Sequence, residues 1–573
     1  MMRRKDLICF AAGAAVIFAV FGSTLFFTGK QPDDVVYLGR AHLLDISWEN
    51  LKFWWQPVLA LRSPLTGYSF MLDQWLWGAE NIETAGHAGN LLLHLLSACG
   101  FFILLRYLKF SPFAACLAML FWAVHPQRAE SVAWLAERKD CLILACGIWS
   151  LCCFVKAEKK HNWQLYGMSV FLFVMSFAVK PALIGFPLIL TAGLWGCFHR
   201  KEPLYYLRHT GIFWLISLAY FIFYKFHHAM PSAGDGGGVL DNLTVIVWRY
   251  GMYFQKTFFP FDLNPCYPHF SFAQSSLFPL FFTGCTILVL LYFLYRSNRK
   301  ALYLYLPLLV CFSAAAAPAL VRIGDVDFAD RYSYFPSIFL VTAAASGLCS
   351  AAKKSVTAKN LVCAAGVLLV LFNGVLGFKS VQVWKTPESR VAAALDTPHP
   401  NYRILTAEAV KRYRNNDLAG ACGIADRLSR EYMEEPAARR KAIELFCRSF
   451  EGLLLLRSNQ IVTGLQQIEA VLTDPDWQML LHASYDYPRL VMLSTAQIYL
   501  KSGKRRQAAQ MYQKIARFYD RFEPMEKEFY LALSALCSAD KKNALKHFEN
   551  ALKYSPEDSN IRRNIEMLKK ESK

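Results

Sequence analysis

Two adjacent carboxylates stand in a short polar segment, "TGKQPDDVVYL" (28–38), directly after an apolar run at the N-terminus. Neighbouring like charges raise one another's pKa, so Asp33 and Asp34 could act as a general base and its orienting or proton-sharing partner. A carboxylate within hydrogen-bond reach of an alcohol can take its proton and accelerate a transfer reaction by about 10²- to 10⁴-fold. The same pair is also typical of a solvated loop or a helix N-cap. Either residue could be the base.

A second cluster of ionisable residues occupies "HPQRAESVAWLAERKD" (125–140), between two apolar runs. Cations at the rim of a helical bundle suggest a fixed anionic partner, such as the phosphate of a lipid headgroup. The alternative is an interfacial cluster of long side chains that pair with one another. The predicted phosphate ligands here and elsewhere are Arg62, His125, Arg128, Arg138, Lys139, Lys180 and Arg331.

Several uncharged or acidic side chains accompany these cations as predicted supporting residues. His87, Asn90 and His94 follow one another at i, i+3 and i+7, so they share one helical face that points into the protein. We interpret the two histidines as packing or hydrogen-bonding residues rather than metal ligands, and we predict no metal-ligating residue, although a divalent metal is left open. The remaining supporting residues are Glu130, Asp140, Asp330 and Tyr332.

The elements that position these residues are predicted to be membrane helices. The chain has 573 residues, of which 55% are hydrophobic and only 18% charged, too apolar for an ordinary soluble protein. Its net charge of +19 is spread over short clusters without a nucleic-acid-binding motif, so nucleic acid is not a predicted partner. About eleven spans are predicted, at 7–28, 86–105, 112–124, 141–155, 164–179, 182–199, 209–226, 277–295, 302–320, 335–351 and 359–379.

Charge asymmetry between the loops gives an orientation. With a cytoplasmic N-terminus, the cytoplasmic loops become "RYLKF", "KAEKKHN", "HRKEPLYYLRH", "RSNRK" and "AAKKSVTAK", all basic, as the positive-inside rule requires. The Asp pair and the charged 125–140 segment then lie on the outer side. An odd number of spans leaves the C-terminus outside as well.

After about Trp384 the sequence becomes charged, Ala-rich and helical in period. We therefore predict two domains, a membrane domain at 1–383 and an extracytoplasmic helical domain at 384–573. From residue 490 the pattern resembles tetratricopeptide (TPR) repeats, in which small and aromatic residues let two helices pack closely. An irregular helical domain is the alternative. The positions that carry the repeat pattern are Ala496, Tyr499, Gly503, Ala508, Tyr512, Ala544, Phe548, Ala551 and Pro556.

Several segments together resemble one known family. "HPQRAESVAWLAERKDCL" is similar to the "HPxHxExVAWVAERKDxL" segment of bacterial membrane proteins related to the transmembrane-and-tetratricopeptide O-mannosyltransferases. "DDVVYL", "RSPLTGYSFMLDQWLWG", "GHAGNLLLHLL", "VKPALIGFPLIL", "YFQKTFFPFDLNPCYPHF" and "FADRYSYFPSIFL" follow in the family's order. The chain departs at Gln127, where the family usually has His, and at Arg62, one residue farther from the proline than usual.

The resemblance implies an all-α, polytopic GT-C glycosyltransferase of the bacterial inner membrane. It would move a sugar, mannose or another hexose, from a polyprenyl-phosphate donor to an acceptor hydroxyl on the outer face, with inversion and with an acidic residue of the first outer loop as base. By analogy with first-loop motifs, Asp33 is the predicted base and Asp34 the alternative. The acceptor would be a protein, recruited by the TPR-like domain, or a glycan. The competing interpretations are a transporter or flippase of lipid-linked glycans and a membrane-anchored TPR scaffold.

Overall fold

Every element of the chain is helical wherever the computed structural model describes it, and the described part contains no strand, which confirms the predicted all-α class. The described part of the chain forms two compact units, one within residues 1–399 and the other within 400–573. The residues described are 3–31, 33–39, 41–55, 63–198, 202–227, 239–268, 279–281, 283–285, 288, 292, 299–320, 327–432, 437–480, 487–519, 524–555 and 558–571.

The first unit is built from long apolar helices joined by short helices at their ends. Its core lies where these helices meet, for example at Phe101, Trp122 and Ile148, all of which are almost completely buried. The helices are α1 Arg4–Phe21, α2 Asp34–Leu38, α3 Trp48–Phe53, α4 Pro64–Trp77, α5 Ile82–Tyr107, α6 Pro112–Ala123, α7 Arg128–Ala133, α8 Arg138–Lys160, α9 Trp163–Phe177, α10 Phe186–Phe198, α11 Pro203–His227, α12 Val239–Phe258, α13 Arg299–Leu320, α14 Ser337–Ala352, α15 Val356–Val383 and α16 Pro387–Leu395.

Ten of the predicted spans coincide with apolar helices, and the span at 277–295 lies partly outside the described residues. Helix length separates the ten into two groups, because crossing ~30 Å of hydrocarbon takes about 20 helical residues. α6, with 12 residues, is only about 18 Å long. Among the described residues, five helical segments are long and apolar enough to cross a membrane: Arg4–Phe26, Ala79–Tyr107, Leu135–Lys160, Pro203–Phe226 and Val356–Val383. The shorter apolar ones there are Pro112–Ala123, Trp163–Phe177, Pro181–Gly196, Tyr305–Leu320 and Ser337–Ala352.

Close packing of α5 and α8 fixes the framework of the site. At Gly100 an added Cβ would lie 2.8 Å from the side chain of Ile148, so a larger residue there would push the two helices apart. Farther along α5, towards its C-terminus, Arg106 forms an ion pair of 2.7 Å with Asp6 of α1. This ion pair holds α1 against α5.

The second unit is a succession of helices in which neighbours in sequence pack against each other. Most of the small and aromatic residues expected to mediate such packing are buried, among them Ala496, Ala508, Ala544, Phe548 and Ala551. Gly503 is exposed, and Pro556 lies outside the described residues. The helices are α17 Tyr402–Arg414, α18 Leu418–Glu431, α19 Ala437–Arg457, α20 Ile461–Thr473, α21 Tyr487–Lys501, α22 Arg505–Tyr519, α23 Pro524–Cys537, α24 Lys541–Tyr554 and α25 Ser559–Glu571.

Candidate active site

A cavity of about 250 Å³ opens in the first unit where α8 begins. Charged side chains from four separate stretches of the sequence line it, and Tyr332 and several apolar side chains complete the wall. The charged lining residues are Asp33, Glu137, Lys139, Asp140, Lys180 and Arg331. Five of these six are among the site residues predicted from the sequence, and Glu137 is the addition.

Asp33 is the residue of the adjacent pair that faces this cavity. It stands at the N-terminus of α2, where its side chain makes no capping hydrogen bond. Its carboxylate is 37% exposed, and Oδ2 lies 4.0 Å from Nζ of Lys139. Partial burial raises the pKa of Asp33, against the opposing effect of Lys139. Such a carboxylate is accessible and more basic than an ordinary aspartate.

Asp34 has a different environment, although it is the next residue. Its side chain is buried, its Oδ1 accepts a hydrogen bond of 2.6 Å from the backbone N–H of Ala136, and its Oδ2 accepts one of 2.8 Å from that of Gln31. These bonds tie the first loop to the short 3₁₀ turn Leu135–Glu137. Burial raises the pKa of Asp34 to about 7, although both backbone hydrogen bonds favour its charged form.

We expect Asp34→Asn to lower stability by about 1–3 kcal/mol, because an amide has one acceptor oxygen for two buried N–H groups. The difference in stability between the wild type and Asp34→Asn should also depend on pH. A carboxyl whose pKa is higher in the folded than in the unfolded state favours folding most below the unfolded pKa, and this contribution is lost as the pH rises from about 4 to 7. Melting curves of both proteins in detergent at pH 5 and pH 8 measure this; an advantage that grows with pH would contradict it.

Lys139, Glu137 and Arg331 form one network across the cavity. Glu137 Oε1 lies 3.7 Å from Nζ of Lys139 and 3.6 Å from Nε of Arg331. Arg331 also forms an ion pair with Glu130, whose Oε2 accepts a hydrogen bond of 2.9 Å from the Arg331 backbone N–H. Burial raises the pKa of Glu130 to about 7, against the effect of Arg331. One of the two carboxylates beside Arg331, that of Glu130, therefore binds a proton more readily than an ordinary glutamate.

The third cation of the cavity, Lys180, forms an ion pair with Asp140. Its backbone is extended, just before the 3₁₀ turn Pro181–Leu183, and its Nζ lies 5.9 Å from the ring of Tyr332. Asp140 also accepts a hydrogen bond of 3.4 Å from Ser131. The cavity thus holds three cations, each beside at least one carboxylate.

Arg138 does not line the cavity, although it lies beside Lys139 in sequence. Its guanidinium is buried, forms an ion pair of 2.5 Å with Asp73, and donates hydrogen bonds to Asn90 Oδ1 at 2.9 Å and to the Gly86 carbonyl at 2.6 Å. It also lies 4.0 Å from the ring centroid of Phe70. These contacts connect α4, α5 and α8, so the geometry favours a structural role.

Arg128 and His125 are buried outside the cavity lining as well. Arg128 donates a hydrogen bond of 2.6 Å to Ser333 and lies against the rings of Trp122 and Tyr334. His125 Nδ1 accepts a hydrogen bond of 3.3 Å from the Gln127 backbone. This polar layer holds the Asp330–Ser333 turn, and with it Arg331, against α7.

Gln127, where the sequence departs from the family that it resembles, has a hydrogen-bond partner in that layer. Its side-chain amide donates a hydrogen bond of 3.0 Å to Asp330 Oδ1, and Tyr267 donates another of 3.0 Å to Oδ2. Asp330 therefore anchors the turn that carries Arg331 and Tyr332 and does not itself line the cavity.

His87, Asn90 and His94 are all buried on one face of α5. Nε2 of His94 lies 3.0 Å from the Ala123 carbonyl, which can only accept, so Nδ1 is the atom that accepts the 2.6 Å hydrogen bond from Tyr334. Asn90 donates to the Trp134 carbonyl at 3.2 Å. These residues join α5 to α6, α7 and the turn before α14.

Arg62 lies outside the described residues. Among the described residues, no group of three or more His, Cys, Asp or Glu side chains could hold a metal ion. Two charged residues that act on the site were not predicted from the sequence. Glu137 belongs to the same charged segment, 125–140, as Lys139, so the sequence could have indicated it. Arg390 lies on α16, beyond the last predicted span, where no sequence pattern connects it with the site. Its charge acts on Asp33 and Glu130.

Comparisons with known proteins add no assignment. No protein-family model matches the chain, and neither does any curated protein.

Proposed function

We propose that the chain is a membrane glycosyltransferase of the GT-C type, with about eleven spans. It moves a sugar, mannose or another hexose, from a polyprenyl-phosphate donor to an acceptor hydroxyl. The observation that carries the proposal is that one accessible carboxylate, Asp33, shares a cavity with three cations, Lys139, Lys180 and Arg331, among apolar helices. A base and a set of phosphate ligands are the two components that this reaction needs.

In this mechanism Asp33 takes the proton of the acceptor hydroxyl as its oxygen attacks the anomeric carbon. The bond from that carbon to the phosphate oxygen breaks, the configuration inverts, and the electron pair leaves with the polyprenyl phosphate. Lys139, Lys180 and Arg331 stabilise the charge that develops on the phosphate. The raised pKa of Asp33 supports this role, since a stronger base takes the proton more readily.

The cations are partnered by carboxylates, so an incoming phosphate has to compete with these. Glu130 offers a way to relieve the competition at Arg331, because a carboxyl with a pKa of about 7 can bind a proton near neutral pH. Once Glu130 is neutral, Arg331 keeps only Glu137, at 3.6 Å, as a competing carboxylate and can direct the rest of its guanidinium at the phosphate. Donor binding is then accompanied by proton uptake.

The second unit is proposed to be a TPR-like domain that recruits a protein acceptor. Its buried small and aromatic residues on successive helices support this, since repeat stacks offer concave surfaces suited to extended peptides. On the same proposal the protein is a multi-pass inner-membrane protein with a cytoplasmic N-terminus and with the cavity and second unit outside. A glycan remains the alternative acceptor.

The experiment that tests the function is transfer of labelled sugar from synthetic polyprenyl-phosphate hexoses to endogenous protein and glycan acceptors. Membranes containing the wild-type protein should label an acceptor, and membranes with Asp33→Asn should not. Transbilayer movement of the labelled lipid without acceptor labelling would instead favour a flippase. If acceptor labelling is unchanged when Asp33 and Asp34 are both replaced by Asn, the chain is not the transferase, and a scaffold is favoured.

Arg331→Gln is expected to reduce transfer by about 10²- to 10³-fold, as the loss of a charge-stabilising donor does in other enzymes. Arg331→Lys should recover part of this, because it keeps the charge but not the two-pronged geometry. Arg448→Gln is the matched control, since Arg448 pairs with Glu444 on an exposed helix face of the second unit. Initial rates at saturating acceptor measure all three variants. Equal rates for Arg331→Gln and wild type would show that Arg331 does not stabilise the phosphate.

A further inference from the structure

A second cavity, of about 220 Å³, lies near the opposite end of α8 from the charged one. Its wall is formed by apolar side chains of α5, α8, α10, α13 and α14, including Leu104, Leu151, Ile189, Leu308 and Phe339. On α8 the charged cavity reaches Ile143 and the apolar cavity begins at Leu151, a separation of about 12 Å along the helix axis. The two cavities are therefore distinct.

The polar side chains in this wall are already hydrogen-bonded within the protein. Thr342 donates to the Ile338 carbonyl at 2.7 Å, and Ser346 donates to the Thr342 carbonyl at 2.8 Å. Glu158 lies 2.8 Å from Nδ1 of His209. A hydrocarbon chain can fill such a cavity without stranding a polar group, whereas a polar ligand would lose hydrogen bonds to water.

The rim of the cavity is basic. Lys159 lines it, donates a hydrogen bond of 2.6 Å to the Tyr107 carbonyl, and lies 5.7 Å from the ring of Tyr107. Lys156 and Lys160 adjoin it on α8, and Lys109 follows α5. In the described part of the chain, none of these four lysines forms an ion pair with a carboxylate. Their charge is available to an anion at the depth of lipid headgroups.

We propose that this cavity binds one acyl chain of an anionic glycerophospholipid, whose phosphate lies against Lys159 and its neighbouring lysines. The occupant follows from two complementary features, an apolar cavity without free polar groups and a rim in which four lysines outnumber one carboxylate, Glu158, which is paired with His209. Basic pockets between membrane helices bind acidic lipid headgroups in this way. The inference does not depend on the proposed sugar transfer.

Gly193 provides a direct test of the chain-binding part. It lies on α10 in the cavity wall, and no atom is within 4 Å of the position that a Cβ would occupy. A side chain can therefore start at this position without meeting a neighbour, and a leucine is expected to occupy part of the cavity. Gly167 on α9 is the matched control, because its Cβ position is equally open but it lines neither cavity.

The measurement is binding of dioleoyl phosphatidylglycerol and dioleoyl phosphatidylcholine to the full-length protein in detergent, by native mass spectrometry. We expect Gly193→Leu to weaken phosphatidylglycerol binding by about tenfold or more, since the chain loses several buried methylenes, and Gly167→Leu to leave it unchanged. Lys159→Gln should weaken phosphatidylglycerol by about fivefold and leave phosphatidylcholine unaffected.

Three results would overturn the proposal. Equal binding of both lipids by the wild type would show that the lysines do not recognise the anionic headgroup. Wild-type affinity in Gly193→Leu would show that the acyl chain does not bind in the cavity. One-for-one displacement of phosphatidylglycerol by polyprenyl phosphate would assign the cavity to that lipid's chain. If Gly193→Leu does not fold, phosphatidylglycerol with a photoreactive acyl chain is cross-linked to the wild type; labelling should fall on 151–159 and 189–196, and labelling confined elsewhere would exclude this site.

Discussion

Replacement of Asp33 by Asn is expected to lower the rate of sugar transfer by about 10²- to 10⁴-fold while leaving the melting temperature close to that of the wild type. The rate falls because an amide cannot accept the acceptor's proton. Stability is largely kept because the Asp33 side chain makes no capping hydrogen bond and its nearest cation, Lys139, is 4.0 Å away. Rates with a polyprenyl-phosphate hexose and melting curves on the same preparations measure both effects.

Asp34→Asn is the control for that substitution, because it makes the same chemical change one residue away. Asp34 is buried and accepts two backbone hydrogen bonds, so its replacement should lower stability more than intrinsic activity. In the wild type, the transfer rate should rise with pH through the raised pKa of Asp33, and the residual rate of Asp33→Asn should lack that rise. The opposite assignment, with Asp34→Asn inactive and stable, would make Asp34 the base.

Arg138→Met is expected to be the most destabilising single change near the site, at about 3–5 kcal/mol. It would leave the Asp73 carboxylate without its 2.5 Å partner and remove donors from Asn90 and the Gly86 carbonyl. Denaturation in detergent measures this free energy. Adding Asp73→Leu should restore part of the loss, because a buried pair replaced by apolar side chains is often neutral.

Lys139→Met is the neighbouring control for Arg138→Met. Glu137, the closest partner of Lys139, keeps Arg331 at 3.6 Å, and Asp33, which loses its nearest cation, is 37% exposed, so removing Lys139 leaves no buried carboxylate unpaired. This variant should lose more transfer activity than stability. The opposite result, with Lys139→Met the less stable and Arg138→Met the less active of the two, would make Arg138 the phosphate ligand and Lys139 the structural residue.

The helical class and the positions of most apolar segments could be predicted because both depend on local properties of the sequence. The predicted span at 86–105, for example, lies within α5, Ile82–Tyr107. Hydrophobic runs and charge clusters are visible without tertiary information. The lengths of the helices were harder to predict, because helix termini are set by caps and packing. The five shorter apolar helices, which were predicted as full spans, are the example.

Which charged residue faces the cavity could not be predicted in the same way. Arg138, Lys139 and Asp140 are consecutive, but successive helical residues point about 100° apart. Only the second and third face the cavity, and Arg138 turns towards α4 and α5. Similarly, Asp34 is buried because the backbone N–H of Ala136 reaches it, a contact across a hundred residues that no local pattern reveals.

The most direct test of the central claim is a cryo-electron microscopy structure of the full-length protein with a non-transferable polyprenyl-phosphate hexose. The phosphate is predicted to lie in the 250 Å³ cavity, in contact with at least two of Lys139, Lys180 and Arg331, with the sugar's anomeric carbon facing Asp33. A phosphate bound elsewhere, away from these cations and from Asp33, would contradict the proposed function and the site.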